Sequence, residues 1–159
     1  MRRKDREIKD INHILKIISD SKILTLSMFD GEYPYAVPMH FGYEYKNGSL
    51  VFYMHSAKEG HKIDLINNNP NVCISLRCNV ELVPGNDGLP CSYGSAYASV
   101  FAQGKARIIE ESEEKIKALK LLMQNQTGRE FEFDEAMAER VSVIRVDVST
   151  LTAKSRPIS

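Results

Sequence analysis

The residues best able to do chemistry sit together in Phe52-Tyr53-Met54-His55-Ser56-Ala57-Lys58-Glu59-Gly60-His61-Lys62. An apolar strand-like run gives way to small residues, and a helical pattern then opens with His61 and Lys62. Small residues let the backbone turn closely. Free amides at a helix start, with a cation beside them, hold an anion. A phosphate group suits that arrangement, and so does a solvated helix cap with no ligand. His55 titrates near neutrality and could supply a proton to a reacting group, or simply cap the helix that follows.

Other constellations carry less. Cys73, Cys78 and Cys91 are odd in number and fit no disulfide framework or zinc spacing. Cys73 and Cys78 face opposite sides of a regular strand, so they read as buried free thiols, and Cys91 lies in a turn-rich loop. His13, His40, His55 and His61 have no carboxylate or cysteine spacing around them, so no metal site is expected. No G-x-G-x-x-G occurs, which argues against a tightly held nicotinamide domain. Tyr93 and Tyr97 flank a glycine-rich loop and either close a pocket or pack.

The elements that must position these residues follow from hydrophobic period. Ile8, Ile11, Ile14, Leu15 and Ile18 form one helical stripe, ending near Ser19-Asp20-Ser21. Ile23 to Phe29 reads as a strand, and Asp30-Gly31 as a hairpin turn. The return strand, Tyr33 to Tyr45, carries Pro34 and Pro38, which places it at an edge or a bulge. Lys46 to Ser49 turns into the strand Leu50 to Met54, and a helix is expected over 57–68, stopped by Asn69-Pro70. Val72 to Val83 is a strand, followed by the long loop Pro84 to Pro90. Tyr97 to Ile109 is a long strand with a bulge at Gln103-Gly104. A helix spans Glu110 to Gln126, a short amphipathic piece follows Gly128, and a last strand covers Val141 to Val148. Hairpin connections make the sheet antiparallel, and it should close as a barrel. The whole chain, 1–159, reads as one domain.

Three blocks carry a resemblance: Tyr35-Ala36-Val37-Pro38-Met39; His55-Ser56-Ala57 with Glu59-Gly60-His61-Lys62-Ile63-Asp64-Leu65 and then Asn69-Pro70-Asn71-Val72; and Tyr97-Ala98-Ser99-Val100-Phe101-Ala102-Gln103-Gly104-Lys105-Ala106. From Arg2 to Val148 the chain resembles the pyridoxamine-phosphate-oxidase-related flavin-binding proteins, and within them the nitroimidazole-resistance reductases. The resemblance implies a mostly β fold with flanking helices, an antiparallel split β-barrel that binds FMN (FAD remaining open). It implies a homodimer with the flavin held between subunits. Val37, Pro38, Met39 and His40 would line one side of the flavin, and Met54, His55, Ser56 and Ala57 would meet its ring edge and ribityl chain. His61 and Lys62 would hold the phosphate, Ser99 and Val100 would touch the flavin from the long strand, and His55 would be the catalytic residue. Two departures separate this chain from vitamin B6 oxidation. The basic pair has His61 where the oxidases proper carry an arginine, and there is no Trp for their carboxy-terminal segment, of which only Arg156-Pro157 is an echo.

Composition bounds the rest. Lys plus Arg and Asp plus Glu are 21 each, so no overall field recruits nucleic acid or an acidic membrane surface. The basic start, Met1 to Glu7, is not followed by an unbroken apolar run, so no signal peptide is expected, and the free thiols suit a reducing cytoplasm. Hydrophobic residues at 43% support a real core. The function expected is a flavin-dependent reductase of small molecules such as nitro-aromatics. The alternatives are a non-catalytic flavin-binding or storage module and a haem-binding split barrel with His55 as an axial ligand.

Overall fold

A computed structural model of the chain describes residues 3–157; Met1, Arg2, Ile158 and Ser159, which the amino- and carboxy-terminal readings touch, lie outside the described residues. The elements in order are β1 (Glu7–Ile8), α1 (Ile11–Asp20), β2 (Ile23–Asp30), β3 (Tyr33–His40), β4 (Gly42–Lys46), β5 (Ser49–Ser56), α2 (His61–Asn68), β6 (Asn71–Val83), β7 (Gly94–Ile109), α3 (Ser112–Thr127), α4 (Glu135–Ala138) and β8 (Ser142–Arg156). Single turns of 3-10 helix precede β1 and β7.

The strands hydrogen-bond in the order β3-β2-β6-β7-β8-β5-β4, with β1 paired to β8, and every pairing is antiparallel. The two edge strands, β3 and β4, are neighbours in sequence, separated by Phe41 alone. A sheet whose opposite edges are joined by one residue must curl on itself. The result is a barrel with a split between β3 and the β4–β5 hairpin. Phe41 is the pin of that closure: its ring is fully buried and packs edge-on against Phe52, 5.6 Å between centroids. Its carbonyl accepts hydrogen bonds from Asn125 Nδ2 (3.0 Å) and Gln126 Nε2 (2.9 Å) on α3.

Inward positions of β7 are small (Ala98, Ala102, Ala106), leaving room for Ile14, Ile17 and Ile18 of α1 and Ile63, Leu65 and Ile66 of α2 to enter the same core. α3 covers the outer side of β4, β5 and β8, where Ala118 and Leu119 bury Val51, Tyr53 and Val143. With apolar residues wanted on both faces, β5 reads as the continuous run Leu50 to Met54 rather than as an alternation. Gly42 is where α3 comes closest: a Cβ there would collide with the Leu121–Leu122 main chain, lying 2.6 Å from Leu122 Cα. Among the described residues α1 and α2 pack on the inner side of the sheet, and on the outer wall formed by β2, β6, β7 and the second half of β8 Ile23, Phe29 and Phe101 stand exposed.

The elements differ from sequence expectation at their ends. Asp10 caps α1 by accepting from the His13 amide at 2.8 Å, so the helix starts at Ile11 and Ile8 joins β1. The strand expected over Tyr33–Tyr45 breaks at Phe41 into β3 and β4, and its prolines lie on β3, an edge. The helix expected from Ala57 starts at His61, because Gly60 takes φ 136°, outside the helical region. The last strand runs to Arg156: register against β7 shifts between Gln103 and Gly104, leaving Ser149 as the extra residue that disguised the continuation. Cys73 and Cys78 are half-buried rather than buried, Cys73 lying on the uncovered wall and Cys78 beside the bulge that interrupts β6. Among the described residues no helix is long and apolar enough to cross a membrane.

Candidate functional site

β4 pairs with β5 up to Gly42↔Tyr53; beyond Phe41, β3 still approaches β5 across the split, close enough for the charge of His40 to be felt at His55. The chain leaving β5 then runs back along β3, and by His61 it reaches Tyr35, whose ring meets the imidazole edge-on at 4.9 Å. The split is thus a strip flanked by Tyr35 to His40 on one side and His55 to Lys62 on the other. The five steps from Tyr35 to His40 along the strand give it a length of about 17 Å. Nine of the twelve residues expected to form the site lie on these two flanks, and Met54 directly precedes one of them.

Alternation decides what each can offer. Pro38 and His40 are exposed, Val37 and Met39 are half-buried against the core, and the Met54 side chain is wholly inside it. At Met54 only the main chain is therefore free to meet a ligand. Ser56 is buried, and its hydroxyl accepts from Lys62 Nζ at 3.0 Å, which holds the ammonium over the β5–α2 turn. α2 has no side-chain cap; Ile63 and Asp64 amides bond to the Gly60 carbonyl, and the amides ahead of them are not covered by a side chain. An anchored lysine, a hydroxyl and an uncapped helix start behind a glycine fit a phosphate group. His61 is turned instead toward Asp30, with Nε2 2.7 Å from Oδ2.

His55 is exposed at its surface, yet burial of its ring, followed by the nearby charge of His40, holds its pKa below the usual histidine value. It is therefore a neutral imidazole around pH 7, able to accept a proton. His40 Nδ1 lies 2.9 Å from Gln126 Oε1 and 3.2 Å from the Lys22 carbonyl. Gln126, Asn125, Lys22 and Asp30 were not found in the sequence: the α3 residues contact the strip from more than 80 positions away, and Asp30 looked like half of a turn.

Ser99 and Val100 lie elsewhere. Arg77 pairs with Ser99, and Ser75 lies between Thr25 and Phe101, so β6 and β2 separate this part of β7 from β3. That is three steps of about 4.8 Å round a curved wall. Val100 points into the core, while Ser99 opens onto an outer groove of about 580 Å3 with Ser75, Phe101, Thr152 and Lys154. A second outer groove, about 690 Å3, lies along the same wall between Ser27, Phe29, Cys73 and Gln103. Tyr97, further along β7, carries Lys154 Nζ 5.6 Å from its ring, and a hydrogen bond from Arg6 pulls its phenol below the ordinary value. Among the described residues no group of three or more His, Cys, Asp or Glu could hold a metal ion.

The fold is an antiparallel split barrel with an anchored lysine and an uncapped helix start where β5 leaves the sheet, beside His55. The family model for pyridoxamine 5'-phosphate oxidase matches residues 10–155, and the chain belongs to that family. A candidate 5-nitroimidazole antibiotic resistance protein from Bacteroides thetaiotaomicron is 35% identical, with 94% of this chain and 86% of that one aligned at a TM-score of 0.79. The flavocytochrome Anf3 from Azotobacter vinelandii shares the fold at 16% identity, over 98% of this chain and 72% of its own, TM-score 0.77. So does an FAD and heme binding protein from Mycobacterium smegmatis, at 12% identity over 94% and 73%, TM-score 0.77. No curated protein matches the chain.

Proposed function

We propose that the protein is a flavin-dependent reductase of small molecules, nitro-aromatics among them, that binds FMN along the split with its phosphate at Lys62. The observation that carries this reading is the Lys62–Ser56 pair over the uncapped start of α2, one residue past His55 on the edge of the split. The 35% identity to the candidate nitroimidazole-resistance protein supports the substrate class. Bound flavin would supply two-electron transfer. This chain's residues do the rest. Lys62 and the α2 amides fix the phosphate, the half-buried Val37 and Met39 give the ring a dry face, and neutral His55 takes or returns a proton at the substrate. His61, tied to Asp30 and Tyr35, steadies the α2 turn.

The Ser99 groove belongs to a second chain in this reading. Ser99 lies three strands round the wall from its own split, and a ligand filling one strip would meet the Ser99 of a partner laid against the uncovered face. Apolar residues exposed on that face, Ile23, Phe29 and Phe101, suit a homodimer. Three half-buried or exposed free thiols suit a reducing cytoplasm. The test is turnover: protein loaded with FMN, then reduced, should pass electrons to a 5-nitroimidazole faster than free reduced FMN does. His55→Ala should slow that step while flavin stays bound. A wild-type rate no higher than that of free flavin removes the reductase assignment.

A further inference from the structure

His40 stands at the open end of the split with its ring orientation decided by α3. Two oxygens face its Nδ1, the Lys22 carbonyl at 3.2 Å and Gln126 Oε1 at 2.9 Å. The identity of the second atom is not free. Gln126 Nε2 donates to the Phe41 carbonyl at 2.9 Å, and turning the amide over would set two oxygens against each other there. Neither neighbour of Nδ1 can donate, so the proton must be on Nδ1. In the neutral ring Nε2 is then a bare acceptor, on a strand that approaches β5 across the split.

We infer that Gln126 and the Lys22 carbonyl are positioning groups that lock His40 as its Nδ1–H tautomer, so that His40 offers the split a hydrogen-bond acceptor for a ligand N–H or O–H. The lock itself stands apart from any ligand; which donor it receives rests on the flavin reading. A bare Nε2 cannot serve the carbonyl oxygens of a flavin, but it accepts from the imide N–H or a ribityl hydroxyl. The chain links this preference to its closure. The same Gln126 amide that orients His40 satisfies the Phe41 carbonyl at the only residue joining β3 to β4.

The experiment uses the full chain with 15N-labelled histidine, without ligand, and reads each ring's tautomer from long-range 15N–1H correlations above the titration range. His40→Leu identifies the His40 signals by their loss. The expected result is Nδ1–H for His40 in the wild type, movement toward Nε2–H in Gln126→Leu, and retention of Nδ1–H in Gln126→Glu, which keeps an oxygen in place. Asn125 still donates to the Phe41 carbonyl when Gln126 is changed, so the barrel should stay closed. An Nε2–H ring in the wild type, or a Gln126→Leu spectrum identical to it, overturns the lock. With FMN added, His40→Leu should weaken binding roughly 3- to 10-fold, the effect of losing one neutral hydrogen bond. Binding equal to wild type overturns the acceptor role. If the wild type itself ignores FMN, the cofactor reading fails while the tautomer result stands by itself.

Discussion

Gly42→Ala adds a single methyl at the point where the barrel is tied to its outer helix. The new Cβ would meet the main chain of Leu121 and Leu122, with Leu122 Cα only 2.6 Å away, and none of those atoms belongs to a side chain that could swing aside. α3 must shift outward or β4 must bend, and overpacking of this kind costs about 1–3 kcal/mol, occasionally more. In a chain of this size each kcal/mol is worth about 2–4 °C of melting temperature, so the expected fall is roughly 2–12 °C. The displaced segment also carries Asn125 and Gln126, so the variant should disturb the His40 ring as well as stability. Thermal unfolding followed by circular dichroism reads the first effect, and the histidine spectra read the second. A melting temperature within 1 °C of wild type, with an unchanged His40, would refute the idea that backbone contact at Gly42 sets the position of α3.

Lys62→Ala removes a charge-assisted phosphate contact of about 1.5–3 kcal/mol, so FMN affinity should drop roughly 10- to 150-fold, measured by flavin fluorescence on titration. Equal affinity in the variant would exclude Lys62 as the phosphate ligand. Arg145→Ala opens the network in which Arg145 Nη1 meets Glu114 Oε1 at 2.6 Å beside Arg107. Both side chains are about a quarter exposed, which sets the cost between surface and buried pairs, about 1–2 kcal/mol in urea unfolding. Burial pushes the Glu114 carboxyl up, but hydrogen bonds from Arg145 and Arg107 outweigh it and hold the pKa below the ordinary carboxylate value. That stability is present above the ordinary value and is lost as pH falls through the lowered one, so Arg145→Ala should flatten the acid limb of the stability curve. His55 works in the same direction at a higher pH. With its pKa depressed by burial and then by His40, the unfolded chain binds the proton first, and stability should decline as pH falls below the ordinary histidine range. His55→Asn should remove that decline; an unaltered pH profile would count against a shielded His55. Phe101→Glu, on the uncovered wall, should convert a sedimenting dimer to monomer and weaken FMN binding together, whereas a wild type that sediments as a monomer with flavin bound would contradict a site shared by two chains.

Much of the fold could be read from the chain because its signals are local. The Asp30-Gly31 turn, the edge prolines of β3, the Gln103-Gly104 irregularity and the stripes of α1 and α3 each depend on neighbours a few residues away. Helix starts were missed for local reasons, the Asp10 cap and the Gly60 backbone, while the strand break at Phe41 was set by tertiary contact. Nothing near Phe41 announces a strand break; the reason lies in α3, which approaches Gly42 and bonds to the Phe41 carbonyl. β8 was read as ending at Val148 because the extra residue Ser149 reverses the alternation without ending the strand. In the site, Lys62 and Ser56 were visible as a short segment with anion-binding character. The Gln126 contact to His40 was not, since amide side chains on a helix carry no spacing signal. Placing Ser99 on a wall away from the split needed the strand order, which no sequence window contains.

The function proposed for this protein depends on a flavin lying in the strip between β3 and the β5–α2 turn. An absorption spectrum of the purified protein, followed by heat release and identification of the chromophore, tests it directly. Flavin bands are expected, with FMN released in amounts approaching one per chain, or, if the protein is purified empty, uptake of added FMN that Lys62→Ala impairs. A Soret band with no flavin, or a colourless protein that does not take up FMN or FAD, would contradict it.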